Sequence, residues 1–387
     1  MLTLEGCRQR RQNLWAHVPE EFDWILIGDA RHVQYFSNFR INPLSFSADQ
    51  RCLLLLQRDG AATLLADNFV RRTATTEPFV DHEVIVPWYT HKQSVINRDH
   101  ALLQAVSECH DRWSTTRGLI EPEGVTAAVA ATVSETSEFG FDDRHSGEAA
   151  TIGTVIRQLR RQKLPDEIEL LKRCMAACDA GHEAAFGAVQ PGATELDVYI
   201  AIQRAAELQA GCACVVYGDF RATNAERPKA GGLPTDYVLQ PGDLFIADYS
   251  VILHGYRSDF TNTIAVGTPS ADQLRQAEAC HDALVAAEAT LRVDAAGKDI
   301  YEAASAVFQQ RGYPPLAHHC GHGLGMEHPE PPILVPESDD VLLAGDVVTI
   351  EPGLYVEGVG GMRFEHNYLI TDTGSERLSN HRISLQG

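Results

Sequence analysis

The stretch LFIADYSVILHGYRSDFTNTIAVG, residues 244–267, reads as two apolar strands joined by a turn at Leu253-His254-Gly255. Asp248 and Asp259 stand at equal distances from its centre. A two-residue loop at Leu253 and His254 would set them directly across the ladder on one face, with Cβ atoms about 5 Å apart. Like charges so placed destabilise a sheet unless a cation or a shared proton lies between them. Taken alone, either aspartate could equally be a solvent-facing acid; as a pair they predict a hairpin that gathers charge.

The same grammar recurs further on. Gly242-Asp243 opens this strand, and Gly345-Asp346 opens another 103 residues later, with an acid five residues after each aspartate: Asp248 and Glu351. Asp197-Val198-Tyr199 with Ala201 is matched by Asp299-Ile300-Tyr301 with Ala303, 102 residues on. Two local matches at nearly one offset predict a duplicated unit of helix, helix and hairpin. In the second hairpin Glu351 and Glu365 centre on Gly358, so a three-residue loop there faces them across the ladder. Folding the halves together brings four carboxylates into one cleft.

Between the hairpins lies His318-His319-Cys320-Gly321-His322-Gly323-Leu324-Gly325-Met326-Glu327-His328. Glycines let this backbone approach a ligand closely, and imidazole is the commonest nitrogen ligand for transition metals. One nitrogen with four carboxylates is an oxygen-rich set. It suits a pair of divalent ions, Mn or Co favoured, with Zn or Fe as further options.

The rest of the chain sets the frame. Long Ala-rich helices are predicted at Ala149–Lys163, Asp166–Val189 and Glu195–Ala210, with Pro165 starting the second, and further helices between Ser270 and Gln310. Before about residue 147, strands are expected at Trp24–Ile27, Cys52–Gln57, Ala61–Ala66, Glu83–Val86 and Gly118–Ile120, with a hairpin at Asp59-Gly60 and a helix over Asp99–Trp113. This is an α/β domain in which His32, His82, His91, His100 and His110 are isolated from one another and from paired acids. The chain of 387 residues is long for one core, so two domains, 1–147 and 148–387, are expected. A net charge of −21 without a basic patch argues against a nucleic-acid partner. Nine scattered cysteines without a C-x-x-C pair argue against a disulfide framework. Without a signal-peptide pattern or an apolar run long enough for a membrane span, a cytoplasmic protein is expected.

The ordered set Asp248, Asp259, His322, Glu351 and Glu365, in the contexts FIADYS, YRSDFTNT, HHCGHGLG, TIEPGLY and MRFEHNYLI, resembles the ligand set of the pita-bread metallopeptidases. This is the family of methionine aminopeptidase, aminopeptidase P and prolidase, with creatinase as a metal-free relative. The resemblance covers nearly the whole chain. It implies an α+β architecture: a small α/β N-terminal domain of creatinase/prolidase type, then a duplicated pita-bread catalytic domain. It further implies a homodimer acting on short peptides of the Xaa-Pro dipeptide or aminopeptidase type. Asp259 and Glu365 would each bridge two metals, Asp248 would complete one ion, and His322 with Glu351 the other. A bridging hydroxide would attack the scissile carbonyl, and Glu351 would handle the proton. His328 resembles the family histidine that steadies the substrate carbonyl, and His318 would line the pocket. Arg363 either sits beside the site or holds the Glu365 carboxylate in an ion pair.

Two departures stand out. Where related peptidases keep a histidine three residues before a Pro-Thr-Asp segment, here Pro234-Thr235-Asp236, this chain has Gly231. The spacing from His322 to His328 is six residues, against the usual seven. Alternative readings are therefore a non-peptidase enzyme on the same metal site, of the dimethylsulfoniopropionate lyase kind, and a non-catalytic peptide-binding protein.

Overall fold

The computed structural model describes residues 1–41, 52–88, 90, 92, 98–133 and 151–387. They form two units, Met1–Arg160 and Arg161–Gly387. The boundary expected between residues 147 and 148, like His91 and the predicted helix start at Ala149, lies outside the described residues.

In the first unit five strands line up as β4-β3-β2-β1-β5: β1 Trp24–Ile27, β2 Cys52–Gln57, β3 Ala62–Asp67, β4 His82–Val86 and β5 Gly118–Ile120. β2 and β3 pair antiparallel around the Asp59-Gly60 turn, where Gly60 takes φ +98°, a conformation glycine adopts without steric cost. Helices α1 Leu4–Trp15, α2 Ala30–Ser37, α3 Asn68–Thr73, α4 Arg98–Glu108, α5 Ala127–Thr132 and α6 Ile152–Leu159 complete it. Trp24, Leu26, Leu53, Leu55, Trp113 and the apolar side of α4 share one core. The helix expected over Asp99–Trp113 stops at Glu108 and continues as a 3-10 turn, His110–Arg112. His32 is not isolated: it is buried, and its Nδ1 pairs with Glu121 Oε1. The partner is far away in sequence, so local spacing could not reveal it. Glu121 Oε2 accepts from the Gly28 and Asp29 N–H groups.

The second unit is built twice. Its first half pairs α7 Pro165–Ala188 with α8 Glu195–Ala210, followed by β6 Val215–Thr223, β7 Leu244–Leu253, β8 Tyr256–Arg257 and β9 Phe260–Ala265. Its second half pairs α9 Ala271–Glu288 with α10 Gly297–Gln310, followed by β10 Gly321–Gly323, β11 Glu330–Leu334, β12 Val347–Ile350, β13 Gly353–Val356, β14 Gly360–Arg363 and β15 His366–Thr371. The helix starts are chemically marked. Pro165 opens α7, and reciprocal Thr194–Asp197 and Ser270–Gln273 capping boxes open α8 and α9.

The repeated Gly-Asp pairs are turns of one design. Gly242 and Gly345 take φ +95° and +93°. Asp243 Oδ2 accepts from the Gln240 N–H, and Asp346 Oδ2 from the Leu343 N–H, three residues back in each case. Both aspartates are buried, and each launches a strand at the following residue. α7 lies close on β7: a Cβ on Gly181 would stand 2.3 Å from the Tyr249 hydroxyl, which donates to the Cys178 carbonyl. Strand β6, which sequence reading does not predict, pairs with β7 from Leu244 to Ile252; Gly218, Asp219 and Arg221 break its apolar run. All nine cysteines are free. Among the described residues no helix is long and apolar enough to cross a membrane.

Candidate metal centre

The acids sit where the two halves of the second unit join. β9 meets the segment around β14 and β15: Glu365 N–H donates to Thr261 O, Arg363 N–H to Thr263 Oγ1, and Asp259 N–H to Asn367 Oδ1. These bonds fix Asp259 and Glu365 side by side.

The first hairpin turns one residue later than the sequence suggests. His254 and Gly255 are the loop, with φ +48° and +84°, the two positive values of a type I′ turn. Asp248 therefore faces Thr261 instead of Asp259. Because the displacement along the partner strand is two residues, Asp259 stays on the same face as Asp248, and its Oδ1 accepts from Ser250 Oγ. In the second half Ile350 faces His366 and Gly353 faces Arg363, a register centred on Gly358 with Glu351 and Glu365 at opposite positions between the ladders.

Imidazoles bring the halves' acids together. His322 Nε2 lies 3.6 Å from Asp259 Oδ2 and 3.5 Å from Glu351 Oε1. Its Nδ1 is 2.9 Å from the Gly323 carbonyl, which can only accept, so Nδ1 carries the proton and Nε2 presents its lone pair. His328 Nε2 is 2.6 Å from Asp259 Oδ2, and His319 Nε2 is 3.2 Å from Glu351 Oε1. In two clusters one possible ligand atom from each residue lies within 4.8 Å of the others: Asp259, His322 and His328, and His318, His319 and Glu351. His318 Nδ1 donates to the His319 carbonyl.

Asp248 and Glu365 are engaged differently. Asp248 Oδ2 is paired with Arg363, so the arginine holds Asp248 and not Glu365, as the ion-pair alternative had it. Arg363 also reaches Asp219 Oδ2 at 3.5 Å, donates to the Tyr355 hydroxyl at 2.6 Å, and places Nε 3.9 Å from Glu351 Oε2. Glu365 Oε2 accepts from Thr261 Oγ1, while its Oε1 is buried without a hydrogen-bond partner.

The electrostatics follow. Burial raises the Asp259 carboxyl, but the His328 hydrogen bond and the attraction of the neighbouring His328, His322 and Arg257 groups outweigh it and hold the group low. Burial likewise raises Glu351, and its bond to His319 with the attraction of the neighbouring His322, His319 and His318 imidazoles brings it below the usual range. Glu365 goes the other way: burial, then the charges of Glu351 and Asp259, push it well above an ordinary carboxyl. An orphaned carboxylate oxygen beside two ionised acids and a lone-pair imidazole fits a divalent cation, which would neutralise the repulsion.

Sequence reading missed Asp219, His319 and Tyr355. Asp219 sits directly across the ladder from Asp248 on the unpredicted β6. A Cβ on Gly231 would stand 3.0 Å from Asp219 Oδ2, so the position without the helper histidine lies at that carboxylate. His319 stands inside the histidine cluster, and its position next to His318 was the available signal.

Comparison with known proteins places the chain in a family. Residues 169–372 match the sequence profile of metallopeptidase family M24, and residues 12–162 that of the creatinase/prolidase N-terminal domain. The chain is 28% identical over 256 residues to a Xaa-Pro dipeptidase of Pyrococcus furiosus, covering 66% of this chain and 73% of that one. It is 27% identical over 378 residues to an uncharacterized peptidase of Staphylococcus aureus, covering 94% and 96%. The fold is similar to that of a Xaa-Pro dipeptidase from Bacillus anthracis, with TM-score 0.75 at 22% identity, covering 98% and 99% of the two chains. It is also similar to the prolidase from Pyrococcus horikoshii, with TM-score 0.74 at 22% identity, covering 97% and 99%.

Proposed function

Because the chain belongs to metallopeptidase family M24, we propose that it is a dinuclear metal-dependent hydrolase of short peptides, of the Xaa-Pro dipeptidase or aminopeptidase type. The observation that carries this reading is the meeting of Asp259 and Glu351, one from each half, on the lone pair of His322, beside the unpartnered Glu365 Oε1. Asp248, Asp259, His322, Glu351 and Glu365 would hold two divalent ions, Mn or Co favoured, with Zn or Fe as options. When bound, such ions polarise a peptide carbonyl and lower the pKa of the attacking water.

The protein's own groups do the rest. Glu351 Oε1, which accepts from Thr349 Oγ1, takes up the proton released on attack and returns it to the leaving amine. Arg363 fixes the Asp248 carboxylate, and Tyr355 fixes Arg363. His318 lines the pocket with its Nε2 3.5 Å from the Tyr355 hydroxyl. In this reading residues 148–387 are the catalytic domain and 1–147 the N-terminal domain of a cytoplasmic homodimer; the free cysteines support a reducing compartment. Relatives named Xaa-Pro dipeptidase support the substrate class.

The test is to strip the purified protein of metal, restore Mn²⁺ or Co²⁺, and assay Xaa-Pro dipeptides beside longer peptides. Metal-dependent release of proline is expected; no metal-dependent turnover of any peptide sinks the reading. Gly231 beside Asp219 favours the second reading, a non-peptidase lyase on the same site, if peptides are refused while the metal is held.

A further inference from the structure

The segment from His322 to His328 is one residue shorter than in the metallopeptidases the sequence resembles, and its second imidazole stands against Asp259. His328 Nε2 is 2.6 Å from Asp259 Oδ2, and its ring centroid is 4.7 Å from that of His322. His322 Nε2 is 3.6 Å from the same aspartate oxygen. Ligands about 2.1 Å from one tetrahedral ion stand roughly 3.4 Å apart; the His322–Asp259 pair is near that spacing, His328 is already in hydrogen-bond contact with Asp259, and the three donor atoms all lie within 4.8 Å of one another. A short His–Asp contact is also what an ion displaces when it takes the place of the shared proton.

The loop is pinned. Lys163 Nζ and Glu330 Oε1 form a buried ion pair of 2.8 Å just beyond His328. Glu330 Oε2 accepts from the Glu327 N–H, and the Gly325 carbonyl accepts from the Arg257 N–H. A Cβ on Gly325 would meet Glu330 Oε1 at 2.6 Å, so the segment is drawn in tightly against that carboxylate. His328 is thus held at Asp259 from both sides.

We infer that His328 is a direct metal ligand, forming with Asp259 and His322 a site of two histidines and one carboxylate for a borderline-soft divalent ion. The inference rests on the metal reading above and changes its chemistry. A second imidazole moves preference from Mn²⁺ toward Co²⁺, Fe²⁺ or Zn²⁺. It also takes His328 away from the substrate carbonyl, leaving that oxygen to other donors.

The experiment loads the metal-stripped full chain with one equivalent of Co²⁺ or Zn²⁺ and counts imidazole nitrogens by X-ray absorption. Affinity is read in parallel by chelator competition for wild type, His328→Ala and His319→Ala, with circular dichroism to check each fold. Two imidazoles in the wild type and one in His328→Ala are expected, with affinity reduced about tenfold or more in His328→Ala only. One imidazole in the wild type, with His328→Ala binding within about twofold, overturns the inference and leaves the metal reading standing. Loss of the second imidazole in His319→Ala instead also overturns it. A wild type that takes up no ion removes both.

Discussion

Replacing Lys163 by Met should expose how firmly the histidine loop is anchored. Lys163 and Glu330 leave only 1% and 4% of their side chains exposed. Removing the lysine takes the ion-pair partner from a buried carboxylate, and breaking such a pair by taking one partner costs about 3–5 kcal/mol. For a unit of the size of Arg161–Gly387, each kcal/mol moves Tm by roughly 2–4 °C, so a fall of about 6–20 °C is expected. All four tryptophans lie in Met1–Arg160, so their fluorescence follows that unit, whereas far-UV circular dichroism follows both. The shift belongs in the dichroism transition. The double variant Lys163→Met/Glu330→Leu, which removes both charges, should recover more than half of the loss. A single-variant cost below about 1 kcal/mol, the range of exposed pairs, would refute the claim that burial makes this pair structurally essential.

Other consequences follow from the same packing. His182 is fully buried, stacked on Tyr249 and Phe260 with the His381 ring tilted beside it, and burial lowers it from 6.5 to about 3. Between those values the unfolded chain binds a proton that the folded chain refuses. The contribution is therefore complete above about pH 6.5 and lost as pH falls toward 3, at up to about 1.4 kcal/mol per pH unit. Urea unfolding at pH 7, 6 and 5 should show a shallower pH dependence for His182→Phe than for wild type; equal slopes contradict the assignment. Gly321→Ala would place a Cβ 1.9 Å from the Thr349 carbonyl oxygen, forcing β10 away from β12. A loss of about 1–3 kcal/mol and weaker metal retention through the neighbouring His322 are expected, and unchanged stability and metal content would show that the strand yields freely.

Much of the fold was legible because it is marked by local chemistry. Pro165 starts a helix as its ring dictates, and the repeated Gly-Asp pairs mark equivalent turns because each needs a positive φ followed by an aspartate that caps three residues back. The second hairpin's centre at Gly358 could be read from its glutamates. The first hairpin could not be placed to the residue, since the I′ turn falls on His254-Gly255; the two-residue displacement preserved the face and so preserved the meeting of the acids. What stayed hidden depended on distant partners: Glu121 for His32, Arg363 for Asp248, and Asp219 on a strand whose apolar pattern is broken. The chemistry of the cluster was readable from residue types, while the pairing of His328 with Asp259 needed three dimensions.

The most direct measurement is the metal content of Asp259→Ala beside wild type, after stripping and reloading with Co²⁺ and removal of loose ions by dialysis. Asp259 is the carboxylate that touches both His322 and His328. Loss of bound cobalt from a variant whose circular dichroism is unchanged is the expected result. Cobalt retained at wild-type stoichiometry would contradict a cation centre built on this residue.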